Sequence, residues 1–170
     1  MHVDKHCVKM ILESAQLLST AHRVLDGSQT VIKSKTNRNK KVWKLPDSEL
    51  DASLYSATHV NHPSAIWVRQ STANYNWLWS LMLELCKEYT YRYGKTHKCE
   101  SSGLLYNLAG CPINLPSNGF TEPTPAMPDQ YKVPGDSIQS YRNYYNGEKQ
   151  RMFSWKKREQ PYWIINGLQT

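Results

Sequence analysis

A chain of 170 residues can bury a sizeable core but is short for two independent ones, so a single domain over residues 1–170 is expected. Lys plus Arg exceed Asp plus Glu by 21 to 14, a formal charge of +7, and six Trp, 11 Tyr and two Phe accompany it, a composition that suits a polyanionic partner such as nucleic acid. Cys7, Cys86, Cys99 and Cys111 are widely spaced with no C-x-x-C pair, no signal-peptide pattern precedes them and no apolar run is long enough to span a bilayer; a disulfide scaffold and a membrane protein are thereby excluded, and free thiols in the cytoplasm or another reducing compartment are expected.

Val8, Ile11, Leu12, Ala15, Leu18, Ala21 and Leu25 recur at three- and four-residue steps and Gly27 supplies a stop, which predicts an amphipathic helix over residues 4–26. Its polar face carries His2, Lys5, His6, Lys9, Glu13 and Gln16. From Ser28 to Pro46 the apolar period vanishes while Lys33, Lys35, Arg38, Lys40, Lys41 and Lys44 accumulate among Ser, Thr and Asn, which reads as a basic loop. A central helix then opens at Pro63 and closes at Gly94, enclosing Trp67, Tyr75, Leu78, Trp79, Met82, Leu85, Cys86 and Tyr89 at helical spacing, with a break near Ser71.

A shorter helix is expected over residues 97–109, ending at Gly110. Between Cys111 and Asp136 lie six of the nine prolines, a density that forbids regular helix or internal strand and predicts an ordered, extended wrap held by Ile113, Leu115, Phe120, Met127, Tyr131 and Val133. Asp136 is suited to cap a final helix running to about residue 159, with an irregularity at Asn146-Gly147. With no repeat, strand alternation or heptad run, the fold class is mostly α: a helical bundle with a long basic loop and a proline-rich wrap. Monomer is the expected state at this size.

His2, His6 and Glu13 can share one face of the first helix with Lys9 between them, an acid/base cluster in one reading and a solvated face with a Lys9–Glu13 ion pair in the other. His59 and His62 stand just before the central helix, where Asn61-His62-Pro63 could present amides to a phosphate and Arg69 could add a charged contact. Arg92, Lys95 and Lys98 sit among Tyr89, Tyr91 and Tyr93, and Trp155, Lys156, Lys157 and Arg158 repeat the theme; cations hold phosphates and aromatics stack on bases. Four histidines in two short segments also raise a metal site, although no H-E-x-x-H occurs. The absence of a Walker loop, a G-x-G-x-x-G, zinc-finger spacing and a deaminase signature argues against a nucleotide cofactor and zinc deamination.

Three segments, HVDKHCVKMILESAQLLSTAHRVL, THVNHPSAIWVRQSTANYNWLWSLMLELCKEYTYRYGKTHK and AMPDQYKVPGDSIQSYRNYYNGEKQRMFSWKKREQPYWI, together resemble the small phage and bacterial proteins grouped with the pyrimidine-dimer DNA glycosylases of the endonuclease V class. The likeness to phage-type members covers most of the chain outside residues 28–50. To the glycosylase itself it rests on helix order, a Glu-bearing first helix and a basic aromatic C-terminus. It implies a compact all-α protein that binds duplex DNA, kinks it, flips a base, cuts the glycosidic bond and nicks the strand by β-elimination, with no cofactor and no metal, in the host cytoplasm if phage-encoded.

The nucleophile of that family is the N-terminal α-amine, which forms a Schiff base at C1′ while a first-helix carboxylate assists; an α-amine of pKa about 8 is partly unprotonated at neutral pH. By this resemblance Glu13 matches the carboxylate, with Lys9 close to the same place, Trp155, Lys156 and Lys157 match the DNA-touching tail, and Arg69 matches the central helix loosely. Phage-type members carry a short segment before the first helix, whereas this chain begins at Met1-His2; Lys5 or Lys9 is then the alternative amine, provided burial or nearby cations lower its pKa. The expectation is a DNA-repair or DNA-modification glycosylase with possible AP-lyase activity on a damaged or modified pyrimidine. The alternatives are a non-catalytic DNA-binding module and a metal-dependent hydrolase or base-modifying enzyme built on His2, His6, Glu13, His59 and His62.

Overall fold

The structure, a computed structural model, describes residues 2–165, and about half of the chain is helical. In α1 (Asp4–Asp26) the side chains of Cys7, Ile11, Ala15, Leu18 and Ala21, at four- and three-residue steps, form a fully buried stripe. Asp4 in the first turn and Arg23 in the last both oppose the end charges of the helix dipole. At Gly27, where α1 stops, an added Cβ would lie 2.5 Å from the Arg23 carbonyl oxygen.

The stretch expected to be a basic loop is a hairpin: β1 (Ser28–Lys33) pairs antiparallel with β2 (Asn39–Lys44), Ser28 opposite Lys44 and Lys33 opposite Asn39. No alternation marks it because neither face is covered; all of β1 is exposed, and in β2 only Val42 and Trp43 are partly buried. Its sequence signal is instead local: Thr30, Val31, Ile32 and Val42 favour extended backbone, and Asn37 takes a left-handed φ of 57° in the turn.

A short α2 (Ser48–Ser53) follows, capped by the Asp47 carboxylate on the Glu49 and Leu50 amides. The expected break in the central helix falls between α3 (Pro63–Val68) and α4 (Thr72–Tyr93), where Ser71 Oγ caps α4 by accepting from the Asn74 amide at 3.0 Å. Tyr75, Leu78, Met82, Leu85 and Cys86 of α4 meet the α1 stripe, and Trp67 and Val68 of α3 join the same core. Gly94 ends α4 at a left-handed φ of 68°, a conformation that costs a non-glycine residue about 1 kcal/mol. The helix expected over 97–109 is two separate turns, α5 (Lys98–Ser101) and α6 (Leu104–Asn107), because Gly103 at φ 82° interrupts them; Cys99, Leu104, Leu105 and Leu108 close the core there.

From residue 111 to 128 the chain has no helix or strand among the described residues, and its polar groups are met by the helices. The Asp26 carboxylate accepts from the Ile113 and Asn114 amides (2.7 and 2.9 Å), Pro116 O accepts from Thr72, and Thr121 is held by Asn74 and Trp67. The final helix, α7 (Ser137–Glu148), starts as expected at an Asp136 cap but stops well before residue 159. Beyond it, after a 3-10 turn at Gln150–Met152, the backbone makes tertiary bonds: Ser154 O accepts from the Asp4 amide (2.9 Å) and the Lys156 amide donates to the Asp4 carboxylate (3.0 Å). Residues 149–158 thus form a strap across the start of α1. Among the described residues no helix is long and apolar enough to cross a membrane.

Candidate functional site

The polar end of α1 faces α7. There Tyr145, buried on α7, reaches His6 Nδ1 at 2.5 Å, and the two rings meet edge-on. Burial pushes the Tyr145 phenol up to about 12, so it stays protonated. A phenol that donates to Nδ1 leaves neutral His6 with its own proton on Nε2. Burial lowers the His6 pKa first, with the Lys149 and Lys9 cations adding to it and Glu13 opposing, so the imidazole is neutral at pH 7. Lys9 Nζ and Glu13 Oε1 are paired at 3.0 Å on the same helix face, both substantially exposed. His2 stands beside them, its pKa lowered to about 4 chiefly by burial. His6, Lys9 and Glu13 thus share the N-terminal part of α1, His2 lies just before that helix, Tyr145 comes from α7 and Lys149 is the residue that follows it. The α-amine of Met1 lies outside the described residues.

Behind this cluster lies an ionic chain that sequence spacing did not reveal. Arg92, expected to touch DNA, is instead wholly buried: its Nε donates to Glu88 Oε1 (2.7 Å) and its Nη1 to Asp4 Oδ1 (2.8 Å), which leaves it unable to reach a phosphate. Burial drives the Asp4 carboxyl upward, but hydrogen bonds from Ser154, the Lys156 amide and Arg92 outweigh it and hold the pKa below the usual range. Arg158 closes the chain with a two-point contact on Glu88 at 3.0 and 2.8 Å and stacks 4.0 Å above the Tyr91 ring. The bonds from Arg158 and Arg92 likewise keep Glu88 ionised.

The other tail residues divide. Trp155 is half-buried against Phe153, with ring centroids 5.1 Å apart, so its ring is not free to stack on a base. Lys156 and Lys157 are exposed, their ammonium groups over the Tyr93 and Tyr91 rings, and Lys157 Nζ also donates to Tyr91 O at 3.2 Å. Lys95 and Lys98 are exposed and, among the described residues, carry no ion pair.

His59 and His62 serve the turn before α3. His62 Nδ1 accepts from the Ser64 amide (3.2 Å) while the His62 amide donates to His59 O (2.8 Å), and Arg69 Nη1 braces the same turn on Val60 O (3.0 Å). The contact that could have gone to a phosphate is thereby used inside the chain. Among the described residues no three His, Cys, Asp or Glu side chains come together as metal ligands, so His2, His6, Glu13, His59 and His62 do not form the set that the metal-dependent alternative requires.

Sequence reasoning missed Tyr145, Lys149, Asp4 and Glu88. Tyr145 lies 139 residues from His6, and nothing local pairs them. Asp4 and Glu88 were legible only as ordinary helix-end and helix-face carboxylates. Two surface recesses are formed elsewhere, one against the hairpin around Ile32–Lys40 and one between α2 and Asn107, and neither is lined by a residue of α1. No family model, no curated protein and no solved structure matches the chain.

Proposed function

We propose that the protein is a DNA N-glycosylase with an associated AP-lyase step, acting on a damaged or modified pyrimidine in duplex DNA. The observation that carries the reading is the pairing of His6 with Tyr145 beside Lys9, Glu13 and Lys149, an acid/base cluster at the edge of a basic surface. The sequence resemblance supplies the reaction class. In this scheme an amine at the start of α1, that of Met1, Lys5 or Lys9, adds to C1′ as the glycosidic bond breaks, and the departing pyrimidine takes a proton. His6 Nε2–H is the donor available to the oxygen on which charge develops as the base leaves, and Tyr145 fixes its tautomer. In the same scheme the Glu13 carboxylate stabilises the electron-poor sugar. Loss of a C2′ proton from the resulting Schiff base then expels the 3′ phosphate. A Lys9 amine can attack only after it leaves Glu13, since an ion-paired ammonium has no lone pair.

Borohydride trapping on an abasic-site duplex tests this. The expected result is a reduced covalent adduct mapped by mass spectrometry to an amine at the start of α1, with base release from a lesion or modified-base duplex reduced about 100-fold by Glu13→Gln. Folded protein that neither binds duplex DNA nor releases a base from such a panel would overturn it. A second reading, a DNA-binding module without catalysis, is favoured by the closed Lys9–Glu13 pair and by the lack of an α1 residue in either recess. It predicts salt-dependent binding, no adduct and no effect of Glu13→Gln.

A further inference from the structure

The hairpin is the most positively charged segment of the chain. Lys33, Lys35, Arg38, Lys40, Lys41 and Lys44 fall within twelve residues, and no acidic residue occurs between Asp26 and Asp47. Arg92 and Arg158 are neutralised internally, but among the described residues none of these six forms an ion pair. Both faces of the ribbon are open to solvent, with Val31 59% and Ile32 48% exposed. A hairpin that buries only Val42 and Trp43 in part gains little from its own burial, and two strands alone are marginal in water.

Its root, by contrast, is fixed. Arg23, buried on α1, donates to Trp43 O (2.8 Å), to the Asp51 carboxylate (2.6 Å), to Asp51 O and to Leu54 O, and the same carboxylate accepts from the Leu45 amide (2.9 Å). The ribbon is held at one end and unsupported along its length, the form of an arm presented to a partner.

The pairing register decides what each face offers. Gln29, Val31 and Lys33 lie opposite Trp43, Lys41 and Asn39 on one face; Thr30 and Ile32 lie opposite Val42 and Lys40 on the other. The first face combines two carboxamides, two ammonium groups and exposed methyls, which are the groups that match base edges and the thymine methyl. The second face and the tip add Lys35, Arg38, Lys40 and Lys44, within reach of phosphates on either wall. The major groove of B-form DNA is about 12 Å wide and admits a two-stranded ribbon, whereas the A-form major groove is too narrow.

We infer that the β1–β2 hairpin is a DNA-reading arm that enters the major groove of B-form duplex DNA, with the Gln29–Lys33–Asn39–Lys41 face toward the bases. This rests on the proposed action on duplex DNA and adds a second contact. The hairpin root is separated from His6 by most of α1, about 30 Å along the helix, close to one turn of B-DNA.

The test compares wild type with a Lys35→Gln, Arg38→Gln, Lys40→Gln variant, the residues assigned to phosphates. All three are exposed and enter no ion pair among the described residues, so the fold is retained and can be checked by circular dichroism. Affinity for a 30-base-pair duplex is measured against salt. Each phosphate contact contributes about 0.9 to the slope, so loss of all three lowers it by about 2.7 and weakens binding roughly 500-fold at about 0.1 M salt. Methyl green, which occupies the major groove, should compete with wild-type binding, and the minor-groove ligand distamycin should not. An A-form RNA duplex of the same sequence should bind at least tenfold more weakly. The inference is overturned if the variant keeps its slope and affinity, if only distamycin competes, if the RNA duplex binds equally, or if the substitutions abolish binding to phosphatidylserine vesicles while leaving DNA binding intact. Base release by wild type alongside any of these results leaves the glycosylase reading standing, whereas absence of all duplex binding removes both.

Discussion

Replacing Arg92 by methionine separates a structural cation from a DNA-binding one. The guanidinium is wholly buried and makes two charge-assisted hydrogen bonds, 2.7 Å to Glu88 and 2.8 Å to Asp4, while its Nη2 has no partner. Two such bonds are worth about 3–6 kcal/mol together, and removing an unsatisfied buried nitrogen returns about 1–3 kcal/mol. Against that return, Asp4 and Glu88, only 15% and 20% exposed, would lose their shared cation. The expected net cost is about 3–5 kcal/mol, the range found when one partner of a buried ion pair is deleted. Urea unfolding followed by tryptophan fluorescence measures it. Among molecules that remain folded, duplex-DNA affinity and its salt slope should be unchanged. A loss below about 1 kcal/mol, or a salt slope lower by about 0.9, would show that Arg92 faces a phosphate and refute the assignment.

Tyr145→Phe removes the hydroxyl bonded to His6 Nδ1; a phenol that donates there favours the neutral imidazole, so the acid limb of the base-release profile should move to higher pH and turnover should fall about tenfold. An unshifted profile would count against the pair. His2 has a folded pKa of about 4 against 6.5 for the free side chain, so between those values the unfolded chain binds the additional proton. Stability is therefore complete above about pH 6.5 and declines as pH falls toward 4, by up to about 3 kcal/mol, and His2→Gln should flatten that limb of a urea-midpoint profile. The sign would be wrong if the variant steepened it. Arg158→Gln removes the two-point contact on Glu88 and should speed hydrogen exchange at the Lys156 amide, which donates to Asp4; unchanged exchange would mean that the strap is not held there.

Much of the helical framework was legible because burial leaves a periodic trace. Ile11, Ala15, Leu18 and Ala21 of the expected stripe are buried in α1, while Val8 and Leu12 are exposed and Cys7 is buried instead, and Pro63, Ser71 and Gly94 mark the start, break and end of the central pair. The hairpin was illegible for the converse reason: a ribbon with both faces in solvent has no apolar alternation, and only local preference and the left-handed Asn37 distinguish it from coil. The final helix was overextended because residues 149–158 have adequate helical composition, while their partners, Asp4, Glu88 and Tyr91, belong to segments distant in sequence.

The same distinction governs how charge should be read. From the sequence, the Arg92 region, the 155–158 tail and the 33–44 stretch look alike, each a run of cations with aromatics nearby. In three dimensions the first two meet each other across Asp4 and Glu88, and that ion-pair chain consumes Arg92 and Arg158, leaving Lys95, Lys98, Lys156 and Lys157 on the surface. The hairpin holds no acidic residue between Asp26 and Asp47 and enters no ion pair among the described residues, so most of its field is not cancelled locally. An internally paired cation stabilises the fold and adds little to a salt slope, whereas an unpaired one releases counterions when it meets a phosphate. A per-residue salt-slope scan across the three segments therefore separates cations that hold this protein together from cations that hold its partner. The expected ordering is hairpin lysines highest, surface tail lysines intermediate and Arg92 at zero.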